Sequence, residues 1–80
     1  METLQKELQA LKPWDKVENT TWPDNYQGYP KINKAGHGYL AVYRNDMNAK
    51  TAENRATFFG EKAFYLEEDC DATAFLDAIS

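Results

Sequence analysis

Two stretches of the chain carry apolar residues at helical spacing. The first predicts an amphipathic helix over about residues 2–12, which Pro13 ends because the residue before a proline is pushed out of the helical region. The second predicts a helix over about residues 72–79, with Asp71 as its N-cap. The apolar stripes are Leu4, Leu8 and Leu11 in the first helix, and Ala72, Phe75, Leu76 and Ile79 in the second.

Between the helices, three shorter runs favour extended structure. Residues 39–44 are apolar at both odd and even positions, which indicates a central strand covered on both sides. A second strand ends at residues 57–59, and a third runs over residues 62–67. Gly60 and Glu61 predict a type II′ hairpin turn between them, with the glycine at positive φ. Residues 45–55 fit a loop, an edge strand or a short helix.

A long segment, residues 13–38, shows no clear period. It carries two tryptophans and two tyrosines on a backbone punctuated by proline and glycine. A loop of this length in a small domain is functional, disordered or hides an element, and its aromatic rings argue against disorder. Residues 17–22 favour a further strand, because valine, threonine and tryptophan prefer extended structure.

These elements predict an α+β fold. It has an N-terminal helix, a three-stranded (or, with residues 17–22, four-stranded) antiparallel sheet, and a C-terminal helix packed on one sheet face. The simplest arrangement puts both helices on the same face. With 80 residues, the chain is expected to form one domain over residues 1–80, with residues 13–38 as its long aromatic connection.

Composition narrows the class of protein. The net charge is −4, and the acidic excess lies after residue 62, where no basic residue occurs. The single cysteine excludes a disulfide within the chain, and no leader or membrane-spanning run is visible. The sequence therefore predicts a complete cytoplasmic protein that is not a membrane protein and exists as a monomer or a homodimer.

Two features are candidates for partner binding. The acidic turn before the last helix offers carboxylates to a basic surface, although such a turn also serves as a solvated helix cap. The aromatic segment offers side chains that are enriched at protein interfaces, although the same rings also thicken a small core. The predicted partner-binding residues are Glu67, Glu68, Asp69 and Asp71 in the turn, and Trp22, Tyr26 and Tyr29 in the segment.

Two alternatives remain open at this stage. A small nucleic-acid-binding protein could combine tyrosines on the sheet with the basic residues of the 31–55 region, which are Lys31, Lys34, Arg44, Lys50 and Arg55. A ligand-binding or enzymatic subunit could instead form a cleft near His37, the only histidine. Cys70 lies between two aspartates, which oppose the thiolate that a nucleophile needs.

The sequence contains none of the motif sets of kinases, hydrolases, Rossmann domains or zinc modules. We therefore expect a non-enzymatic protein-binding module with no cofactor and no metal. Its size and charge suit an inhibitor or adaptor of a larger nucleic-acid-processing complex, such as a phage or mobile-element anti-defence protein. The expected partner is another protein with a basic surface, and direct nucleic-acid binding is not favoured.

Overall fold

The computed structural model describes residues 3–80. This range contains three helices and five strands, and a 3-10 turn (Asp24–Tyr26) follows the first strand. The helices are α1 (Thr3–Leu11), α2 (Ala49–Glu53) and α3 (Asp71–Ile79); the strands are β1 (Val17–Thr21), β2 (Lys31–Lys34), β3 (His37–Tyr43), β4 (Phe58–Phe59) and β5 (Ala63–Glu67). The α+β class and both terminal helices are confirmed, with residue 2 of the first predicted helix outside the described residues.

The five strands form one antiparallel sheet in the order β1-β2-β3-β5-β4. The three predicted strands correspond to β3, β4 and β5, and the possible fourth strand at residues 17–22 is β1. The strand that the sequence prediction lacked is β2, which lies between β1 and β3. A segment that was expected to be a loop therefore forms an inner strand, paired on both sides, while β3 is central as expected.

Strand β2 was hidden because one of its buried positions is a lysine. Ile32 and Lys34 both lie in the core, and Lys34 is only 2% exposed. The lysine stem packs among apolar residues while its Nζ donates a hydrogen bond to the Lys12 carbonyl oxygen at 3.2 Å. Burial lowers the pKa of Lys34, and the nearby positive charge of Lys12 lowers it further.

Helices cover both faces of the sheet, so the expectation that the two terminal helices share one face is wrong. Alternate residues of β3 point to opposite sides, as its two apolar faces predicted. The α3 helix does pack on one sheet face, as expected. The α1 face buries Leu4, Leu8, Val17, Ile32, Tyr39, Ala41, Ala63 and Tyr65; the α2 and α3 face buries Tyr26, Leu40, Val42, Ala52, Phe64, Leu66, Ala72, Phe75 and Leu76.

The segment at residues 13–38 is largely regular structure. It contains β1, the 3-10 turn and β2, and its first tryptophan, Trp14, stays 74% exposed. After the 3-10 turn the chain reverses through two left-handed residues, Gln27 at φ 53° and Gly28 at φ 92°. Glycine adopts this conformation without strain, whereas glutamine does so at a cost. The reversal is what allows β2 to return antiparallel to β1.

Residues 45–55 contain the short helix α2, one of the three structures that the sequence left open. The turn before it is held by Asp46, whose Oδ1 accepts a hydrogen bond from the Asn48 backbone N–H at 2.8 Å. Ala52 is fully buried and anchors the helix against the core. With one buried residue in five, α2 has almost no periodic signal in sequence.

The β4–β5 hairpin is present, but its predicted type II′ turn is wrong. Phe59 pairs with Phe64, which leaves four residues between them, and Gly60 does not have a positive φ. The glycine instead leaves space for the Glu7 side chain. A Cβ at Gly60 would lie 2.1 Å from Glu7 Oε1 of α1. The hairpin and the first helix are therefore fitted together at this glycine.

The start of α3 also differs from expectation. Cys70 occupies the N-cap position without a side-chain capping bond, and Asp71 is the first helical residue. The Asp71 carboxylate instead accepts a hydrogen bond from Thr57 Oγ1 at 2.5 Å, which ties the helix to the segment before β4. Among residues 3–80, no helix combines the length and apolar character that crossing a membrane requires.

Candidate functional site

An open groove of about 550 Å³ lies where β1, β2 and β3 end near the 45–48 turn. Three large apolar side chains on its lining are strongly exposed: Trp22 at 62%, Tyr43 at 46% and Met47 at 93%. Isolated exposed apolar residues are common on protein surfaces, but their convergence on one concave site is less so. We name this site the aromatic groove; it is lined by Leu4, Trp22, Gln27, Gly28, Tyr29, Pro30, Ala41, Tyr43, Asp46, Met47, Asn48 and Ile79.

The strand register brings these residues together. Thr21 pairs with Lys31, so Trp22 and Pro30 are the residues just beyond the paired ends of β1 and β2. Strand β3 continues past this point, since the Ala41 N–H donates to the Pro30 carbonyl oxygen at 3.1 Å and Tyr43 lies two residues further. The longer strand thus forms one wall, and the ends of the shorter strands form another.

The floor of the groove carries a closed polar network. The Tyr29 hydroxyl donates to Asp46 Oδ1 at 2.8 Å and accepts from Asn48 Nδ2 at 2.9 Å. The Tyr29 ring packs edge-on against Phe75 of α3, with centroids 5.4 Å apart. Burial raises the pKa of Tyr29, the Asn48 bond lowers it, and the neighbouring Asp46 raises it. The network fixes the floor before any ligand arrives.

A second, smaller depression of about 340 Å³ adjoins the groove. Gln27 lines both, and its Nε2 donates to the Leu76 carbonyl oxygen and to Ser80 Oγ, each at 3.2 Å. Glu68 and Asp77 supply carboxylates on its lining, so we name it the acidic depression. No lysine or arginine among the described residues lines either the groove or the depression. The combined surface is apolar at one side and negative at the other.

The structure separates the three predicted aromatic residues. Trp22 is exposed on the groove, Tyr29 is half-buried in its floor, and Tyr26 is 6% exposed within the core on the α3 face. Tyr26 therefore contributes to packing and has little surface to offer a partner. Because Tyr26 belongs to the 3-10 turn, its burial anchors that turn to the core.

The four predicted acidic residues are partly engaged within the protein. Glu68 Oε2 lies 2.7 Å from Lys31 Nζ, and Asp71 is bonded to Thr57. Glu67 ends β5 and is half-buried, whereas Asp69 is exposed. The acidic turn is thus a surface of lower free charge than the sequence alone indicates.

Burial gives Tyr26 a distinctive titration. Burial first, then the charges of Glu68 and Asp69, raise the pKa of Tyr26 to about 12. Unfolded tyrosine titrates near 10, so this contribution to stability is complete below about pH 10 and is lost as the pH rises towards about 12. We expect part of the tyrosinate absorbance of the native protein to develop only near pH 12, and Tyr26→Phe to reduce that part. An unchanged amplitude near pH 12 in Tyr26→Phe would contradict the assignment to Tyr26.

Sequence reasoning missed several groove residues. Tyr43 was assigned to the alternating core pattern of its strand, but it lies beyond the end of β2 and is exposed. Met47 and Asp46 fall in a segment without periodic signal. A methionine beside the turn-forming pair Asn45 and Asp46 was the available clue, because a large apolar residue in a polar turn has no core to enter.

The basic residues of the second hypothesis do not form one free patch. Lys34 is buried, and Lys31 pairs with Glu68. The Arg44 guanidinium lies over the Phe64 ring, 4.5 Å from its centroid, and Arg44 Nε donates to the Gly60 carbonyl oxygen at 2.7 Å. Lys50 lies within α2 and Arg55 just after it, and both are exposed. The positive charges are therefore spread over separate parts of the fold.

His37, the centre of the third hypothesis, is the first residue of β3 and is exposed opposite Lys34. It lines neither the aromatic groove nor the acidic depression. Cys70 is a free, exposed thiol. Among residues 3–80, no group of three or more His, Cys, Asp or Glu side chains is placed to hold a metal ion.

Another apolar depression, of about 520 Å³, lies between α1 and the β4–β5 hairpin and includes the 54% exposed Phe59. The Glu7 carboxylate on its lining accepts hydrogen bonds from the Lys62 N–H at 2.9 Å and from the Tyr65 hydroxyl at 2.7 Å. Its central polar group is thus used to join helix and hairpin. The aromatic groove, which has unengaged polar atoms, is the stronger candidate site.

Comparison with known proteins found no match: no family model, no curated protein and no solved structure matches the chain.

Proposed function

We propose that the protein is a non-enzymatic protein-binding module that takes a segment of its partner into the aromatic groove. The observation that carries the proposal is the exposure of Trp22, Tyr43 and Met47 around one cavity of about 550 Å³. Tryptophan and tyrosine dominate the energetics of many protein interfaces, and methionine adapts its shape to varied partners.

The apolar side chains provide the affinity in this proposal. Covering a further ~100 Å² on each of the three would contribute roughly 7 kcal/mol before the costs of association, at about 25 cal/mol per Å². The pre-formed floor of Tyr29, Asp46 and Asn48 reduces those costs, because its hydrogen bonds already exist in the free protein. A partner therefore does not have to order the site.

The acidic depression provides selection for charge. Glu68 and Asp77 lie beside the groove, and the chain has a net charge of −4. A partner with lysine or arginine next to its docking segment would be attracted, and acidic partners would be repelled. Of the predicted acidic residues, Glu67, Asp69 and Asp71 lie outside both linings and would act only through the general field.

We further propose a cytoplasmic protein that serves as an inhibitor or adaptor of a larger assembly. Its action would be to occupy a basic surface of that assembly, as a small acidic domain can do without chemistry of its own. The dispersed positions of Lys31, Lys34 and Arg44 make protein binding the preferred reading over direct nucleic-acid binding.

The test is affinity capture from the native host with matched tryptophan variants. Trp22→Ala removes a ring on the groove, whereas Trp14→Ala removes a similarly exposed ring outside it. We expect the first change to weaken capture of the specific partner by about 30-fold, the effect of losing a hot spot of about 2 kcal/mol. Trp14→Ala should leave the captured amount of the partner unchanged. Quantitative mass spectrometry identifies the partner and measures that amount.

A partner lost with both Trp22→Ala and Met47→Ala, but retained with Trp14→Ala, would support the proposal. Retention by both groove variants would overturn it. In that case, loss of the partner with Asp69→Asn and at high salt would move the site to the acidic turn.

A further inference from the structure

The lining of the aromatic groove has an unusual composition for a site that binds ordinary peptides. It combines three aromatic rings (Trp22, Tyr29 and Tyr43) with a proline, Pro30, and one amide side chain that faces the network, Asn48. Aromatic side chains set close together pack well against the flat, rigid rings of proline. A proline-rich segment also loses little conformational entropy on binding, because it already favours an extended left-handed helix.

The polar atoms of the groove divide into engaged and free groups. The Tyr29 hydroxyl is fully used by Asp46 and Asn48. The Trp22 indole N–H and the Tyr43 hydroxyl have no hydrogen-bond partner among residues 3–80. Two donors on the rim of an apolar groove suit a ligand whose backbone carbonyls are not bonded within the ligand itself.

This requirement discriminates between ligand conformations. The polyproline II helix has no internal hydrogen bonds and presents all its carbonyls. An α-helix bonds its carbonyls internally and would leave the two donors unpaired on burial, at a cost. Strand addition needs a free strand edge, whereas the groove lies at the strand ends and the β1 edge is broken by a bulge between Val17 and Asn19.

Charge fixes a further property of the ligand. Among residues 3–80, Asp46 supplies the one carboxylate on the groove lining, and Glu68 and Asp77 line the adjoining acidic depression. Gln27, shared by both, makes the two surfaces continuous. An arginine or lysine close to the prolines would be attracted to Asp77, whereas Glu68 already pairs with Lys31, and an acidic residue there would be repelled.

Resting on the proposed function, we infer that the occupant of the groove is a proline-rich segment of a partner protein in the polyproline II conformation, with an arginine or lysine beside it. The prolines pack on the rings of Trp22 and Tyr43. The indole N–H and the phenol O–H donate to the carbonyls of the segment. The basic residue points across Gln27 towards the exposed side chain of Asp77, whose carboxylate has no hydrogen-bond or ion-pair partner among residues 3–80.

The experiment uses the full chain and synthetic peptides of about ten residues. The test peptide contains Pro-x-x-Pro followed by arginine; one control replaces both prolines by alanine, and another replaces the arginine by glutamine. Calorimetry gives the affinities, and ¹⁵N amide spectra, including the indole N–H of Trp22, give the location. We expect at least about 10-fold weaker binding for the proline-free peptide and about 3-fold for the uncharged one.

Protein variants complete the design. Trp22→Ala should weaken the test peptide by about 10-fold or more, and Trp14→Ala should not change it. Asp77→Asn should remove the advantage of arginine over glutamine while leaving the proline effect intact. Met47→Ala, at a residue that is 93% exposed, is a second groove variant that should keep the fold if Trp22→Ala does not.

The inference is overturned if no peptide binds at millimolar concentration, if the proline-free peptide binds equally well, or if the shifts lie outside the groove. A captured partner that occupies the groove through a segment without proline would also overturn it. That last result would leave the proposed function standing, so the two failures are distinguishable.

Discussion

Replacing Phe75 by alanine is expected to remove a large part of the stability of the protein. Phe75 is fully buried in α3, packs in the core of the α2 and α3 face, and meets the Tyr29 ring at 5.4 Å. Truncating a buried phenylalanine costs about 3–5 kcal/mol, because apolar contacts are lost and a cavity remains. A domain of this size has a total stability of roughly 4–12 kcal/mol, so the variant should be marginal.

Urea unfolding followed by circular dichroism measures this cost. Phe59→Ala is the matched control, because the same side chain is deleted at a position that is 54% exposed. Its contact with the Phe64 ring, at 5.9 Å between centroids, limits the expected loss to about 1 kcal/mol. Equal losses for the two variants would contradict the placement of α3 on the sheet.

The second large effect concerns Glu7, which connects α1 to a hairpin more than fifty residues later. Its carboxylate accepts hydrogen bonds from the backbone N–H groups of Lys62 and Ala63 and from the Tyr65 hydroxyl. Glu7→Ala removes the acceptor that the two backbone N–H groups share with the Tyr65 hydroxyl, whose other acceptor is the Leu4 carbonyl oxygen at 3.4 Å. We expect a loss of about 2–3 kcal/mol in the free energy of unfolding. Few single surface-helix substitutions cost as much.

Gly60 offers an independent way to disturb the same contact. A Cβ at this position would lie 2.1 Å from Glu7 Oε1, while the backbone there does not have a positive φ. Gly60→Ala should therefore cost about as much as Glu7→Ala by displacing the carboxylate. In a double-mutant cycle, the double variant should lose at least about 1 kcal/mol less stability than the sum of the two single losses.

Gly36→Ala is the control for this cycle. Gly36 has a φ of 76°, and a Cβ there would meet nothing within 4 Å. Its cost, about 1 kcal/mol, comes from backbone strain alone and should add fully to that of Glu7→Ala. Full additivity for Gly60→Ala as well would show that Glu7 does not hold the hairpin.

The periodic parts of the fold could be predicted from the sequence. Leu4 and Leu8, like Phe75 and Leu76, form stripes that only a helix brings onto one side. The two apolar sides of β3 already indicated that both faces of the sheet are covered. The apolar periodicity of a helix, however, does not specify the sheet face on which that helix packs. The assignment of both terminal helices to one face failed for that reason.

The remaining errors have local causes. Lys34 is a buried lysine, and it turned the alternation of β2 into an apparently polar stretch. For the site, Trp22 was identified because tryptophan in an irregular segment is conspicuous. Tyr26 and Tyr43 were assigned the wrong way round between surface and core. The 3-10 turn places Tyr26 in the core, whereas Tyr43 is exposed because β3 extends past the end of β2.

The exposure of both tryptophans has a practical consequence for spectroscopy. Trp14 and Trp22 are 74% and 62% exposed in the native protein, so their fluorescence should already resemble that of indole in water. Emission would then change little on unfolding, and a denaturation curve recorded this way would understate the transition. Because Trp22 lies on the groove and Trp14 does not, a blue shift in emission from a Trp14→Phe protein would report ligand binding directly. The protein thus carries an intrinsic optical probe for occupancy of the groove and almost none for its own folding.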